Sequence, residues 1–188
     1  YLSNDTQFDR GVFSSASLNT TGNAGSISIE APQIELNRAF ISASTVSKGN
    51  AGEITINSNE LLLSNRASIS SSTDIEESTG QGGVVTINSQ QVKLENSSII
   101  ASTSSAGNAG TVTLNANALV IEDGMVTSFT MSKEGNAGDV VINVKELAMN
   151  DGLVSSETTS EGNAGNVRIV ADNVLLANTG GISTSAVA

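Results

Sequence analysis

Few residues in this chain could do chemistry, and their types and spacing bound what that chemistry would be. Three carboxylates, Asp74, Glu76 and Glu77, fall within the seven residues from Thr73 to Thr79. Ca²⁺ selects oxygen-rich clusters of this kind, so calcium is the metal this loop would hold; the plainer reading is a solvated acidic loop. Glu53, Glu60, Asp139 and Asp172, with Lys93, Lys145 and Arg168, are the side chains from which a polysaccharide-cleaving face could be built. Some β-helix proteins cleave acidic polysaccharides with Asp, Lys or Arg gathered on one outer face, whereas these fall at different offsets in different repeats. Thr45, Thr73, Thr103, Thr130 and Thr158 approximate one file. A flat outward array of threonines can bind ice, but a second parallel file is missing, and a solvated β face is the simpler expectation.

The tetrapeptide Gly-Asn-Ala-Gly invites a dinucleotide-binding reading, yet each copy precedes an apolar alternation instead of opening a helix, so that reading fails. Histidine and cysteine are both absent, which removes the commonest general base, thiolate chemistry and the usual zinc and copper ligands. The sequence therefore predicts no catalytic residue, no cofactor-binding residue and no metal ligand set, and a chain that is not an enzyme.

Charge and composition narrow the partners. With 19 acidic and 8 basic side chains the formal charge is −11, which disfavours nucleic acid and anionic lipid surfaces. No apolar run approaches the ~18 residues of a membrane span, so no membrane insertion is expected. Aromatic residues make up 3% of the chain and tryptophan is absent. The core must be built from aliphatic side chains, which suits a thin, elongated shape. No secretory leader is visible at Tyr1, and the chain begins and ends in mid-pattern, as a piece of a longer repeat protein would.

The elements that must position these residues follow from a repeat. Gly-Asn-Ala-Gly recurs at 22–25, 49–52, 107–110, 135–138 and 162–165, with the degenerate copy Gly80-Gln81-Gly82-Gly83 between them. The last glycines are 27, 31, 27, 28 and 27 residues apart. Apolar residues follow each at two and four positions, beginning Ile27 and Ile29, then Ile54 and Ile56. A second pair stands at nine and eleven, beginning Ile34 and Leu36, then Leu61 and Leu63. A third, looser apolar site comprises Ile41, Ile69, Ile100, Val126, Val154 and Ile182. Period-two alternation over short segments reads as β-strand, so each repeat holds three strands. Asn65, Asn96, Asp123, Asp151 and Asn178 punctuate the second and third strands, as residues that tolerate left-handed angles do.

One repeat cannot bury its own apolar face, so the repeats must stack. The chain is predicted to be all-β: one parallel β-solenoid segment over residues 1–188, with about 27 residues per coil and six to seven coils. The handedness preference of parallel crossovers predicts a right-handed coil. Strand spacing predicts a rod about 30 Å long. Asn23, Asn50, Asn108, Asn136 and Asn163 should form an amide ladder with a gap at the degenerate copy. The third repeat carries four surplus residues, placed in the loop from Thr73 to Thr79.

The phrase Gly-Asn-Ala-Gly-x-Ile-x-Ile, followed by Ile-x-Leu-x-Asn and Ile-Ser-Ala-Ser-Thr, resembles the repeat region of filamentous-haemagglutinin-like exoproteins. The likeness runs from about Gly11 to Ser185 and is strongest over 22–45, 49–73 and 107–130. It implies a β-helical fibre of a large adhesin, secreted to or displayed on the exterior of the outer membrane of a Gram-negative bacterium. It also implies a partner for the parent protein, the outer-membrane β-barrel transporter of two-partner secretion, and an unidentified receptor or glycan. No catalytic residue transfers from the resemblance. The alternative expectation is a polysaccharide-binding or -processing β-helix in which the loop from Thr73 to Thr79 flanks a groove. The open ends of a solenoid further predict end-to-end self-association.

Overall fold

The computed structural model describes residues 10–17, 20–74, 79–131, 134–159 and 161–187. Strand β1 (Gly11–Phe13) leads into a first turn of β2 (Ile27–Glu30), β3 (Gln33–Asn37) and β4 (Phe40–Ser42). The second turn holds β5 (Ile54–Asn57), β6 (Glu60–Ser64) and β7 (Ser68–Thr73), the third β8 (Val85–Asn88), β9 (Gln91–Glu95) and β10 (Ser98–Thr103). The fourth holds β11 (Val112–Asn115), β12 (Ala118–Glu122) and β13 (Met125–Thr130). The fifth holds β14 (Val140–Asn143), β15 (Glu146–Asn150) and β16 (Leu153–Thr158). The sixth closes with β17 (Val167–Val170), β18 (Asn173–Ala177) and β19 (Gly181–Ala186).

Equivalent strands of successive turns pair in parallel and form three sheets of six, six and seven strands. The molecule is a parallel β-solenoid of six turns, with β1 as a seventh strand on the third sheet. Ile27, Ile54, Val85, Val112, Val140 and Val167 are consecutive partners down the first sheet. Leu36, Leu63, Leu94, Ile121, Met149 and Leu176 do the same down the second. The side chains of the middle turns are sealed from water: Ile56, Leu63, Ile87, Leu94, Leu114 and Ile121 are each 0% exposed. Fully burying such a side chain is worth about 1.5–3 kcal/mol, and only stacking achieves it. Phe13, Phe40 and Phe129 lie outside this aliphatic core.

The third sheet corrects two sequence expectations. Ile99, not Ile100, is the inward residue of β10: it pairs with Ile69 and Val126 and is 0% exposed. Ile100 points outward between Ser70 and Thr127. The threonine file is likewise inside. Thr45, Thr73, Thr103, Thr130 and Thr158 are each at most 1% exposed, so they offer no outward array and cannot meet ice. Their hydroxyls are used internally. Thr103 Oγ1 shares a 2.7 Å hydrogen bond with Ser105 Oγ and accepts the Ser105 N–H at 3.0 Å. Ser105 Oγ in turn donates to the Gly80 carbonyl. Thr45, Ser47 and Gly22 repeat the arrangement. Among the described residues no buried side-chain polar atom lacks a partner, as a polar strip beside an aliphatic core requires.

The glycines of the repeat serve close approach, not turn geometry. No described glycine has a positive φ. A Cβ on Gly110 would stand 1.8 Å from the Gly83 carbonyl oxygen, and one on Gly52 2.1 Å from that of Gly25. The left-handed corners fall on Asn65, Asn96, Asp123, Asp151 and Asn178, as expected, and also on Arg38 and Arg66.

The amide ladder has no gap. Gln81 N–H donates to Asn50 Oδ1 at 2.9 Å, and Asn108 N–H donates to Gln81 Oε1 at 2.9 Å. The longer glutamine stands in for asparagine in the degenerate copy. A second ladder, absent from the sequence reading, closes the first strand: Asn88, Asn115 and Asn143 each donate to the preceding Asn57, Asn88 and Asn115 at 3.0, 2.8 and 2.9 Å. The four surplus residues between Gly52 and Gly83, on the second turn, are also divided. Leu36 and Leu63, partners in β3 and β6, are 27 residues apart, but Ile41 and Ile69 are 28 apart. One extra residue therefore sits at the Asn65–Arg66 corner, and only the rest lies beyond Thr73.

Candidate functional surface

With the interior filled, any function belongs to outward side chains. Glu53 and Asp139 each directly precede a first-sheet strand, before Ile54 and Val140, the two ends of the ladder Ile54, Val85, Val112, Val140, so they share one file after all. Val84 and Thr111 stand between them. Three turns at ~4.8 Å place them about 14 Å apart, beyond the ~5–9.5 Å over which glycosidase carboxylates cooperate. Both are also engaged locally. Asp139 Oδ1 accepts the Asn166 N–H at 2.7 Å, and Glu53 accepts the Thr55 hydroxyl at 3.4 Å. Glu60 accepts from Gln33 Nε2 at 2.9 Å. Asp172 stands exposed on the corner that precedes β18. The structure does not bring these four carboxylates together.

The cations are spread along the rod. Lys93 Nζ lies 2.5 Å from Glu95 and 3.2 Å from Glu122, which are partners on adjacent strands. The hydrogen bond to Glu95, then that to Glu122, holds the Lys93 ammonium above its ordinary pKa. Arg168 donates to Asn143 Oδ1 at 3.3 Å, capping the second amide ladder. Of the acidic loop, Asp74 is described; Glu76 and Glu77 lie outside the described residues. Desolvation raises the Asp74 carboxyl pKa. Among the described residues no three acidic side chains gather as a metal site would require.

Asp151 makes the best-defined acidic contact. Its Oδ1 accepts from the Thr179 hydroxyl at 2.7 Å and from the Thr179 N–H at 3.2 Å, tying the fifth turn to the sixth. These bonds, with a weaker one from Asn178, hold its pKa below the ordinary value. A depressed carboxylate contributes stability above its unfolded pKa of ~4, and that contribution is lost as pH falls through the folded value. Asp151→Ala should therefore lower the melting temperature at pH 7. The part of the deficit carried by the charge should shrink below pH ~4 and vanish once both states are protonated, leaving the pH-independent cost of alanine at a left-handed φ of 52°; thermal melts of both proteins across that range check it.

A depression interrupts the outer wall. It has a volume of about 240 Å³ and is lined by Gln90, Gln91, Asn117, Ala118, Lys145 and Glu146. All six stand at the corner between the first and second sheets, on the third to fifth turns. The first position of β3, β6, β9, β12, β15 and β18 is Gln33, Glu60, Gln91, Ala118, Glu146 and Asn173 in turn. Alanine breaks this file of long polar side chains, and the missing bulk is the depression. The break is readable eight residues after each repeat glycine, a position that apolar periodicity ignores.

Among the described residues no helix is long and apolar enough to cross a membrane. Comparisons with protein-family models, curated proteins and solved structures return no match.

Proposed function

We propose that this chain is a structural and adhesive segment of a large exported bacterial surface protein, a stiff non-catalytic rod that spaces and presents binding surfaces away from the cell. The observation that supports it is the unbroken stack: six turns with the same aliphatic ladders and buried Ser/Thr strip repeated inside and carboxylates dispersed along the outside. The resemblance of the Gly-Asn-Ala-Gly repeat to filamentous-haemagglutinin-like exoproteins supplies the exported setting, with an outer-membrane transporter as the parent protein's partner. The formal charge of −11 suits a rod that must stay dispersed in the medium. The test is the parent gene. A secretion domain upstream and a transporter gene beside it would establish the reading; a catalytic domain in the same gene, or a carbohydrate-degradation cluster around it, would replace it with a glycan-processing accessory.

Self-association through the ends belongs to the same proposal. Val174, Leu176 and Ile182 occupy inward positions that are sealed in the middle turns, yet on the last turn they are 52%, 44% and 43% exposed. Their strands β18 and β19 are open edges that pair as any edge does. A second copy of the chain is the partner proposed for this end, stacking where a further turn would stack. Sedimentation velocity at rising concentration should show a dimer that Leu176→Glu abolishes, and a monomer at every concentration would remove this partner.

A further inference from the structure

We infer that the depression around Ala118 is a binding site for one neutral pyranose ring of a glycan. This rests on the adhesive reading and gives it a ligand class. Three observations carry it. The first is size: at about 240 Å³ the space falls just below the ~300 Å³ at which sites for drug-sized ligands begin, room for a ring but not for an oligosaccharide.

The second is chemistry. Gln91, Asn117 and Glu146 line it with amide donors, amide acceptors and a carboxylate, and Ala118 adds an apolar methyl to the same lining. Vicinal hydroxyls need this mixture of planar donors and acceptors, and the C–H face of a ring needs an apolar floor. Gln90 is already oriented, its Nε2 donating to Asn59 Oδ1 at 3.2 Å. Lys145 and Glu146, neighbours of opposite charge, form no ion pair with each other or with any other described residue, so both heads are available.

The third is rigidity. The Gln90 carbonyl accepts both the Asn117 and Ala118 N–H groups, at 2.9 and 3.1 Å. The Asn117 carbonyl accepts both the Lys145 and Glu146 N–H groups, at 3.0 and 2.9 Å. The backbone carrying five of the six lining residues is thus locked before any ligand arrives, which lowers the cost of binding. A net charge of −11 disfavours uronic-acid chains at long range and selects neutral sugars.

The test uses the whole chain on an array of neutral hexose, amino-sugar and uronic-acid oligosaccharides, with chain-coated beads tested in parallel for adhesion to cells. Binding to neutral hexose chains is expected, with at least tenfold loss in Ala118→Gln and several-fold loss in Glu146→Gln. Ala118→Gln restores the side chain that Gln91 carries one turn earlier, so its melting temperature should match that of the native chain. Beads that adhere while the array stays blank, or while Ala118→Gln binds like the native chain, would overturn the sugar site and leave the adhesive reading standing. Array binding that Ala118→Gln abolishes, with no adhesion by any bead, would keep the site and remove the adhesive reading.

Discussion

Gly110→Ala is expected to destabilise the chain by about 3 kcal/mol or more, whereas Gly22→Ala leaves it unchanged within ~0.5 kcal/mol. Gly110 closes its copy of the motif on the fourth turn and Gly22 opens the copy on the first, where no earlier turn lies beside it. A Cβ at Gly110 meets the Gly83 carbonyl oxygen at 1.8 Å and its carbon at 2.6 Å, whereas one at Gly22 meets nothing within 4 Å. The obstacle is backbone, so no rotamer change relieves it. The fourth turn must lift from the third, straining the strand pairs between them. Urea unfolding followed by circular dichroism measures the difference. Equal stability of the two variants would mean that the glycines are required for turn geometry, contrary to the absence of positive φ at any described glycine.

The second large effect separates neighbours of identical type. Ile99→Ala should cost ~2–5 kcal/mol, as truncation of a sealed aliphatic side chain does. Ile100→Ala should cost about 1 kcal/mol at most, because its side chain faces outward. Ile99 is 0% exposed and continues the inward ladder from Ile69 to Val126. For a chain of this size the first variant should melt roughly 4–20 °C lower, and the second within a few degrees of the native chain. A reversal of the two would put β10 one residue out of register and turn every side chain of that strand to the opposite face.

The solenoid was legible because the two apolar pairs of each repeat sit at constant offsets from the last glycine, and a period of two has one structural meaning. The third strand was harder for a countable reason. The corner before it is one residue longer at Asn65–Arg66, so Ile69 stands seventeen residues after its glycine whereas Ile41 and Ile99 stand sixteen after theirs. With isoleucine at both 99 and 100, composition could not choose between them; pairing with Ile69 and Val126 does. The same parity carries through Ala43 to Thr45 and through Ser128 to Thr130, which is why the threonines lie inside. Their polarity argued for solvent, but burial is made tolerable by local partners: the serine two residues on for Thr45 and Thr103, which in turn reaches the Gly22 or Gly80 carbonyl, and the Gln81 carbonyl for Thr73. The ladder through Gln81 was missed because its longer side chain reaches where asparagine would. The depression at Ala118 escapes an apolar reading for a different reason: it is made by a small side chain between long ones at a constant offset that the apolar alternation does not use.

The hydrogen bonds that join one turn to the next run along the length of the rod, and every turn meets only its two neighbours. A pull along that axis therefore loads the turns in series, and the outermost gives way first. Each turn that unwinds frees about 27 residues, roughly 90 Å of extended chain at ~3.3–3.6 Å per residue, while the stack itself shortens by only ~4.8 Å. Under steady tension such a rod lengthens in discrete steps, dissipating load at its end while the remaining turns keep their shape.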